Sequence, residues 1–286
     1  MPQPVAVLTL VRGRGDHLAN LLEGLGRGSR RPDLVVVADM NDTPTALPAT
    51  PFPLRQPHRP AGTLPLAAAR NAAAAAAGDT PLLVFLDVDC IPGAGCVAAL
   101  ADALEQHNAL VCADIRYLPA GIAAPGWTEA DLLRHGHSHP VRPFPAAGLR
   151  AEPNAGLFWS LGFGIRAASF RRLGGFDEGF TGYGAEDTDL GFRARDAGIP
   201  LLFSGDARAF HQHHASFDPP LQHVADIATN AWRFRQRHGF WPMDGWLDAF
   251  AALGLIAPPG DGPIALLRAP TGAELAAARR PEGAPF

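Results

Sequence analysis

Leu82-Leu-Val-Phe-Leu-Asp-Val-Asp89 decides the reading of this chain. Five apolar residues in a row, Val and Phe among them, make a strand buried on both faces, the kind a parallel sheet hides between helices. Two carboxylates close it. Residues two apart in a strand face the same way, so Asp87 and Asp89 are expected on one side of the strand's end. At about 5 Å apart they repel by roughly 3 kcal/mol at an effective dielectric of about 20, and a cation between them reverses the sign. Oxygen donors at such an edge suit magnesium or manganese, which keep positions open for water and phosphate oxygens. The plainer reading has one Asp capping a helix that starts near Gly93 and the other solvated. It leaves a buried strand ending in two acids without a use.

Outward from this strand the pattern repeats. Val5–Val11 and Leu34–Ala38 are further buried strands, and Ala109–Asp114 is a short one. Between them fall helices: Asp16–Leu25 with Leu18, Leu21, Leu22 and Leu25 at helical spacing and Asp16 as N-cap, Leu66–Ala77 stopped by Gly78, and Gly93–Gln106. Thr43 to Pro65 is Pro-rich, carries no period and is expected to be loop. Strand and helix alternating over the first 115 residues imply an α/β, doubly wound, mostly parallel sheet flanked by helices. Ligands bind such sheets beyond the C-terminal ends of the strands. Charge collects at three of those ends: Arg12 and Arg14, Asp39 to Asp42, and Asp87 with Asp89.

The second half is less regular. Residues 118–156 are rich in Pro, Gly and His and read as a long loop with a short helix near Glu129–Arg134, and long loops are usually functional or mobile. Phe158–Ile165 reads as a strand containing glycines, Ala167–Leu173 as a short helix closed by Gly174-Gly175, and Glu186–Asp196 as a helix stopped by Gly198 and Pro200. Leu201–Phe203 and Ala207–Phe210 read as two short strands and Leu221–His238 as a long helix. Past residue 256 the chain is Pro, Gly and Ala and reads as a tail of low order.

Glu186, Asp187 and Asp189 follow the Gly-rich turn Gly182-Tyr-Gly-Ala185. One acid suffices to cap a helix, and three within four residues leave a rigidly held carboxylate for a general base. His211, His213 and His214 follow a predicted strand, and imidazole beside two Asp would extend a coordination shell. His135, His137 and His139 alternate within the Pro-rich loop and read as surface. The guanidinium forks of Arg12 and Arg14 suit a diphosphate or nucleotide. Trp159, Trp232, Trp241 and Trp246 read as core, with one near the cleft able to stack on a sugar ring.

Composition narrows the classes. The 286 residues, 47 % of them apolar, suffice for one large core and exclude wholesale disorder. A net charge of −4 argues against a nucleic-acid binder. All 24 basic residues are Arg, which excludes covalent Lys chemistry and a Walker-type phosphate loop. Cys90, Cys96 and Cys112 form no C-x-x-C pair and fit a reducing compartment, the cytoplasm. The Val5–Val11 run is too short to span a bilayer and lacks a basic flank, so no integral membrane segment is expected, with peripheral membrane contact left open.

With these residues in view, the chain resembles the inverting glycosyltransferases of the GT-A fold, the family-2 group and, more narrowly, the galactosyltransferases with a C-terminal G-G-x-D segment. The likeness runs in order over residues 5–242: Leu8-Thr-Leu-Val-Arg-Gly-Arg14, Ala69-Arg-Asn71, Phe85-Leu-Asp-Val-Asp89 with its D-x-D signature, Leu173-Gly-Gly-Phe-Asp-Glu-Gly-Phe180 with Gly184-Ala-Glu-Asp187, Phe210-His211, and Arg235-Gln-Arg-His-Gly-Phe-Trp-Pro242. The resemblance implies a GT-A (Rossmann-like) sheet with a smaller acceptor-side subregion in a single catalytic domain over 1–255. Residues 1–115 would be its nucleotide-sugar half, 116–217 its acceptor half and 218–255 a closing helix and turn, with 256–286 as a tail. It implies Asp87, Asp89 and His211 on a divalent metal, Mn²⁺ or Mg²⁺, with His213 or His214 as fallbacks. Asp187 would be the base with Glu186 beside it, and Arg12, Arg14, Asp39 or Asp42, Arg70, Asp87 and Val88 would lie about the donor. The implied reaction moves a sugar, UDP-linked hexose or N-acetylhexosamine, to a hydroxyl of a glycan, lipid-linked or small-molecule acceptor with inversion. Two departures stand out: Thr181-Gly-Tyr-Gly184 replaces an aromatic-rich W-G-W-G stretch, and Asp39 and Asp42 compete for one role. The competing readings are a metal-dependent hydrolase, as a zinc site built from H-x-H plus Asp would give, a nucleotidyltransferase, and a catalytically silent nucleotide-sugar-binding module. Against hydrolysis, the chain carries no nucleophile elbow and no H-E-x-x-H.

Overall fold

The computed structural model describes residues 2–59 and 65–281. Its strands are β1 (Val5–Val11), β2 (Leu34–Asp39), β3 (Leu54–Arg55), β4 (Leu82–Leu86), β5 (Cys90–Pro92), β6 (Leu110–Tyr117), β7 (His137–Ser138), β8 (Leu149–Glu152), β9 (Gly162–Arg166) and β10 (Leu201–His211). The helices are α1 (Gly15–Arg27), α2 (Leu66–Ala76), α3 (Cys96–Gln106), α4 (Glu129–His135), α5 (Ala167–Arg172), α6 (Glu186–Asp196), α7 (Val224–His238), α8 (Asp244–Ala252) and α9 (Gly272–Ala278). They surround one sheet of order β3-β2-β1-β4-β9-β6-β10-β5, with β7 on β6 and β8 on β10. β1 runs parallel to β2 and β4, and β6 parallel to β10, so the parallel reading holds on both sides of the centre. β9 lies antiparallel between β4 and β6, and the short strands β5, β7 and β8 also pair antiparallel.

Period-two alternation sends each strand's residues to two layers. From β1, Val5, Val7 and Val11 pack under α1 and α3, while Ala6, Leu8 and Leu10 pack under α2 and α5. The apolar stripe of α1, Leu18, Leu21, Leu22 and Leu25, is buried as its spacing predicts, although the helix begins at Gly15 and Asp16 stands in its first turn rather than capping it. The glycines of β9 have a packing reason: a Cβ on Gly164 would stand 2.9 Å from Leu104 Cδ1 of α3. Small residues there let α3 close over the middle of the sheet.

Several sequence expectations change. Gly93–Gln106 is a helix only from Cys96, because Cys90–Pro92 first pairs antiparallel with β10. The two short strands near 201 and 207 are one strand whose register shifts between Ser204 and Arg208. The long helix starts at Val224 after a 3₁₀ turn over Leu221–His223. The Thr43–Pro65 loop contains β3, and its residues 60–64 lie outside the described residues. The expected low-order tail is folded from 256 to 281: Ile256 and Ala278 are buried with Leu247 and Phe250, and α9 starts with a capping box made by Thr271 and Glu274. Residues 282–286 lie outside the described residues. Among the described residues no helix is long and apolar enough to cross a membrane.

Candidate active site

β4 ends at Leu86, and the chain then leaves the strand. The Asp87 N–H donates to Leu161 O and the Cys90 N–H to Asp87 O, each at 2.8 Å, closing a turn. The two carboxylates therefore diverge instead of sharing one side. Asp87 turns to Arg70, whose Nη2 lies 3.1 Å from Oδ1. Asp89 faces the end of β10, with His211 Nε2 3.5 Å from Oδ1, His214 Nε2 3.4 Å from Oδ2, and the Arg14 guanidinium donating to Oδ2. The antiparallel pairing of β5 with β10 and a 2.7 Å bond from the Gln212 N–H to Asp89 O fix this approach.

Asp89, His211 and His214 each offer one ligand atom, all within 4.8 Å of one another. One carboxylate oxygen and two imidazole nitrogens fit a divalent transition ion. Burial opposes ionisation of Asp89, but the His211 and His214 imidazoles and the Arg14 guanidinium hold its carboxyl well below the usual range. Burial lowers His211 to about 4, against the pull of Asp89, which leaves its imidazole neutral and able to ligate. Asp87 stands outside this group; burial pushes it up to about 6, with Arg70 pulling the other way.

The second acid group stands on a strained turn. Gly182, Gly184 and Ala185 have φ of 71°, 99° and 71°. Ala185 has a Cβ, so its left-handed backbone costs about 1–2 kcal/mol. This turn starts α6 at Glu186. Glu186 is buried, and its Oε1 lies 3.0 Å from Arg70 Nη1. Arg70, itself 4 % exposed, thus bridges Asp87 and Glu186. Burial and the neighbouring Asp187 push Glu186 up to about 7, against Arg70. Asp187 is partly exposed, and its carboxylate accepts the Ser160 N–H at 3.2 Å and the Thr188 N–H at 2.6 Å. Asp189 is fully buried and accepts Arg193 Nε at 2.7 Å and Arg237 Nη1 at 2.6 Å, with His238 Nε2 at 2.9 Å. Asp177 binds Arg233 and Arg237 of α7, and although burial opposes it these partners bring its carboxyl down to about 2.

The end of β2 forms a third element. Asp39 is buried and accepts the Asn41 N–H and Asn41 Nδ2 at 2.9 Å each, the Thr45 N–H at 2.6 Å and Gln56 Nε2 at 2.9 Å. Burial works against its ionisation, but the Thr45 and Asn41 bonds hold it below the usual range. A small cavity beside it is lined by Ala38, Met40, Pro57, Ala68 and Ala72. Asp42 and Arg12 are exposed nearby. The side chain of Val88 belongs to the core cluster under α1.

The structure thus brings Asp87, Asp89, Arg14, Arg70, Glu186 and His211 to one edge. It selects His214 over His213 as the third member of the cation-fitting group. It also separates Asp187 from Asp189, which α6 alone cannot do, because the cations that claim Asp189 come partly from α7. Sequence reasoning missed the Ser160 amide and the loop residue Arg142, and it read His139 as surface where that residue is partly buried. His139 lies edge-on to Trp159 with ring centroids 4.9 Å apart, and Trp159 precedes Ser160.

A sheet whose parallel strands end in acids, faced by a helix start carrying a reachable carboxylate, is the GT-A arrangement. Solved structures share the fold: GalNAc-T7 with UDP, GalNAc and Mn²⁺ aligns at a TM-score of 0.56 over 87 % of this chain and 57 % of that one, with 14 % identity. Residues 1–349 of S. aureus TarS align at 0.54 over 88 % and 79 %, with 13 % identity. The family model described as glycosyl transferase family 2 matches residues 18–177, and the one described as N-terminal domain of galactosyltransferase matches 157–214. The chain belongs to glycosyl transferase family 2. It is 38 % identical over 81 residues to the validoxylamine A glucosyltransferase of Streptomyces hygroscopicus subsp. jinggangensis, a match covering 28 % of this chain and only 19 % of that one. It is 26 % identical over 272 residues, 84 % of this chain and 87 % of the other, to the N-acetylglucosaminyl-diphospho-decaprenol L-rhamnosyltransferase of Mycobacterium tuberculosis.

Proposed function

We propose that this chain is a metal-dependent inverting glycosyltransferase that moves a sugar from a nucleotide-sugar donor to an acceptor hydroxyl. The observation that carries this is Arg70, which ties Asp87 to Glu186 and so draws the segment holding the cation-fitting cluster to the segment holding Asp187. Residues 1–115 would bind the donor, 116–217 the acceptor, and 218–255 close the domain. Asp39 and the apolar cavity beside it suit a nucleoside, and Arg12 and Arg14 its diphosphate. Asp89, His211 and His214 would hold a divalent cation, manganese or magnesium, which would neutralise the charge that grows on the leaving diphosphate.

Asp187 takes the proton of the acceptor hydroxyl as its oxygen attacks the anomeric carbon from the face opposite the leaving group, which inverts configuration. It suits this task because it is partly exposed and fixed by two backbone N–H groups, whereas Glu186 is buried against Arg70. A carboxylate so placed also stabilises an oxocarbenium-like transition state. The UDP and Mn²⁺ named with GalNAc-T7 support a UDP-linked hexose or N-acetylhexosamine donor, and the mycobacterial relative's name supports a lipid-linked acceptor. Three buried free cysteines support work in the cytoplasm.

Thermal unfolding with UDP and Mn²⁺, set against Mn²⁺ alone, tests the reading. Ligand at 100 times its dissociation constant stabilises by about 2.7 kcal/mol, a readily measured rise in Tm. A panel of UDP-sugars assayed for slow hydrolysis then identifies the donor. No shift with any nucleoside diphosphate overturns the proposal.

A further inference from the structure

The loop between β6 and β9 places a cation where the catalytic reading has no use for one. Arg142 is 3 % exposed, and its Nε and Nη2 are buried without a hydrogen-bond partner. No carboxylate among the described residues forms an ion pair with it. Aromatic rings surround its Cζ instead, Trp159 at 4.8 Å, Phe203 at 5.2 Å and Phe144 at 5.4 Å. A buried guanidinium is costly unless paired, and ring faces offset only part of that cost. The other buried Arg of the site, Arg70, has two carboxylates.

Through Trp159, Arg142 lies next to the candidate site. Trp159, partly exposed, precedes Ser160, whose N–H holds Asp187. A wall of rings runs back from there: Trp159 to His139 at 4.9 Å, His139 to Tyr117 at 5.9 Å, and Tyr117 to His211 at 5.0 Å. It runs from the neighbour of the residue that holds Asp187 to His211 of the cation-fitting cluster, and Arg142 touches it at Trp159. The field there is positive: burial lowers His139, and Arg142 and Arg280 lower it further. The Cys112 thiol is pushed up by burial, and Arg142 pulls it down.

Resting on the glycosyltransferase reading, we propose that Arg142 and the Trp159 wall form an acceptor subsite for a sugar bearing an anionic group, a carboxylate or a phosphate. The ring of Trp159 takes an apolar sugar face and the guanidinium fork takes the anion through charge-assisted hydrogen bonds. The acceptor class is then an acidic glycan or a phosphorylated saccharide.

Isothermal titration of the full chain tests this with methyl β-D-glucuronide, methyl β-D-glucoside 6-phosphate and the neutral methyl β-D-glucoside. At least one anionic probe binds about tenfold or more tightly than the neutral one, as a hydrogen bond to a charged group predicts, and comparison of the two separates carboxylate from phosphate. Arg142→Met erases the preference and leaves Tm unchanged or higher, since it removes an unpaired buried charge; Arg142→Lys retains part of the preference. If Arg142 is only a structural prop, Arg142→Met lowers Tm and the wild-type chain shows no anionic preference, which overturns the proposal. So does wild-type binding of all three probes alike, binding of none, or a preference that survives in Arg142→Met. UDP·Mn²⁺ binding by the same preparation separates the two claims. Nucleotide binding without anionic preference sinks the subsite alone, and anionic preference without nucleotide binding sinks the catalytic reading alone.

Discussion

The acids after β4 and those at the start of α6 solve one problem in the same way. Each segment carries one acid paired with Arg70 and another held by different partners. After β4, Asp87 goes to Arg70, while Asp89 meets two imidazoles and Arg14. In α6, Glu186 goes to Arg70 and Asp189 to Arg193 and Arg237, while Asp187 is held by two backbone amides. The difference lies in what the remaining acid can accept. Asp89 is buried among nitrogens that can ligate a cation, and Asp187 is open to a hydroxyl. An acidic motif therefore contains two kinds of residue, counter-charge and reagent, and partners from distant elements decide which is which.

The sharpest way to break this division is to exchange roles within α6. Asp187→Asn lowers transfer by about 10²–10⁴-fold, the usual worth of a positioned base, and leaves Tm and donor binding unchanged. Asp189→Asn does the opposite, costing about 3 kcal/mol of stability because two guanidinium groups and His238 lose their shared carboxylate. Steady-state transfer rates and thermal melts of both variants decide it. Near-wild-type turnover in Asp187→Asn removes Asp187 as the base.

The same contrast after β4 is read with a metal. Asp89→Ala reduces Mn²⁺ affinity by more than the roughly 10–100-fold that loss of an outer-shell partner costs, whereas Asp87→Asn stays within that range. His214→Ala behaves as a ligand loss and His213→Ala does not. Titration of Mn²⁺ by electron paramagnetic resonance measures all four. Equal losses for Asp87 and Asp89 would restore the symmetric two-carboxylate site that the strand pattern suggests.

How much of this the chain spells out depends on range. The buried runs 5–11, 34–38 and 82–86 are legible because β-branched and Leu residues without polar interruption fit only a strand covered on both faces. Glu186–Asp196 is legible from its turn and its stop. The insertion of β9 between β4 and β6 is not, because nothing local in Gly162-Phe-Gly-Ile-Arg166 encodes a partner more than seventy residues away in sequence. The divergence of Asp87 and Asp89 is hidden for the same reason, since the bond to Leu161 O that ends the strand comes from that distant segment. The folded C-terminal segment was within reach: Thr271-x-x-Glu274 is a helix-start signature, obscured by the Pro and Gly around it. Arg142 lies in a loop without a period, so only its burial marks it.

A smaller effect sharpens the comparison through pH. Glu186 titrates at about 7 in the folded chain, raised by burial and by Asp187 despite Arg70, against an ordinary value of 4.5. The folded state therefore binds more protons than the unfolded state between these values, and stability falls as pH rises through the window, then levels off above 7. The loss is on the order of 3 kcal/mol. Glu186→Gln removes a carboxyl that resists ionisation, so its Tm relative to wild type is higher at pH 8 than at pH 4.5, and the wild-type slope between them flattens. Asp177 has the opposite sign: its carboxyl, brought down to about 2, contributes stability above its ordinary value that fades only as pH drops toward 2. Melts of wild type and Glu186→Gln across pH 2 to 8 separate the two. An unchanged slope in the variant would mean that Glu186 is ionised and satisfied by Arg70 throughout, and that the strain of the site is carried by Asp87 instead.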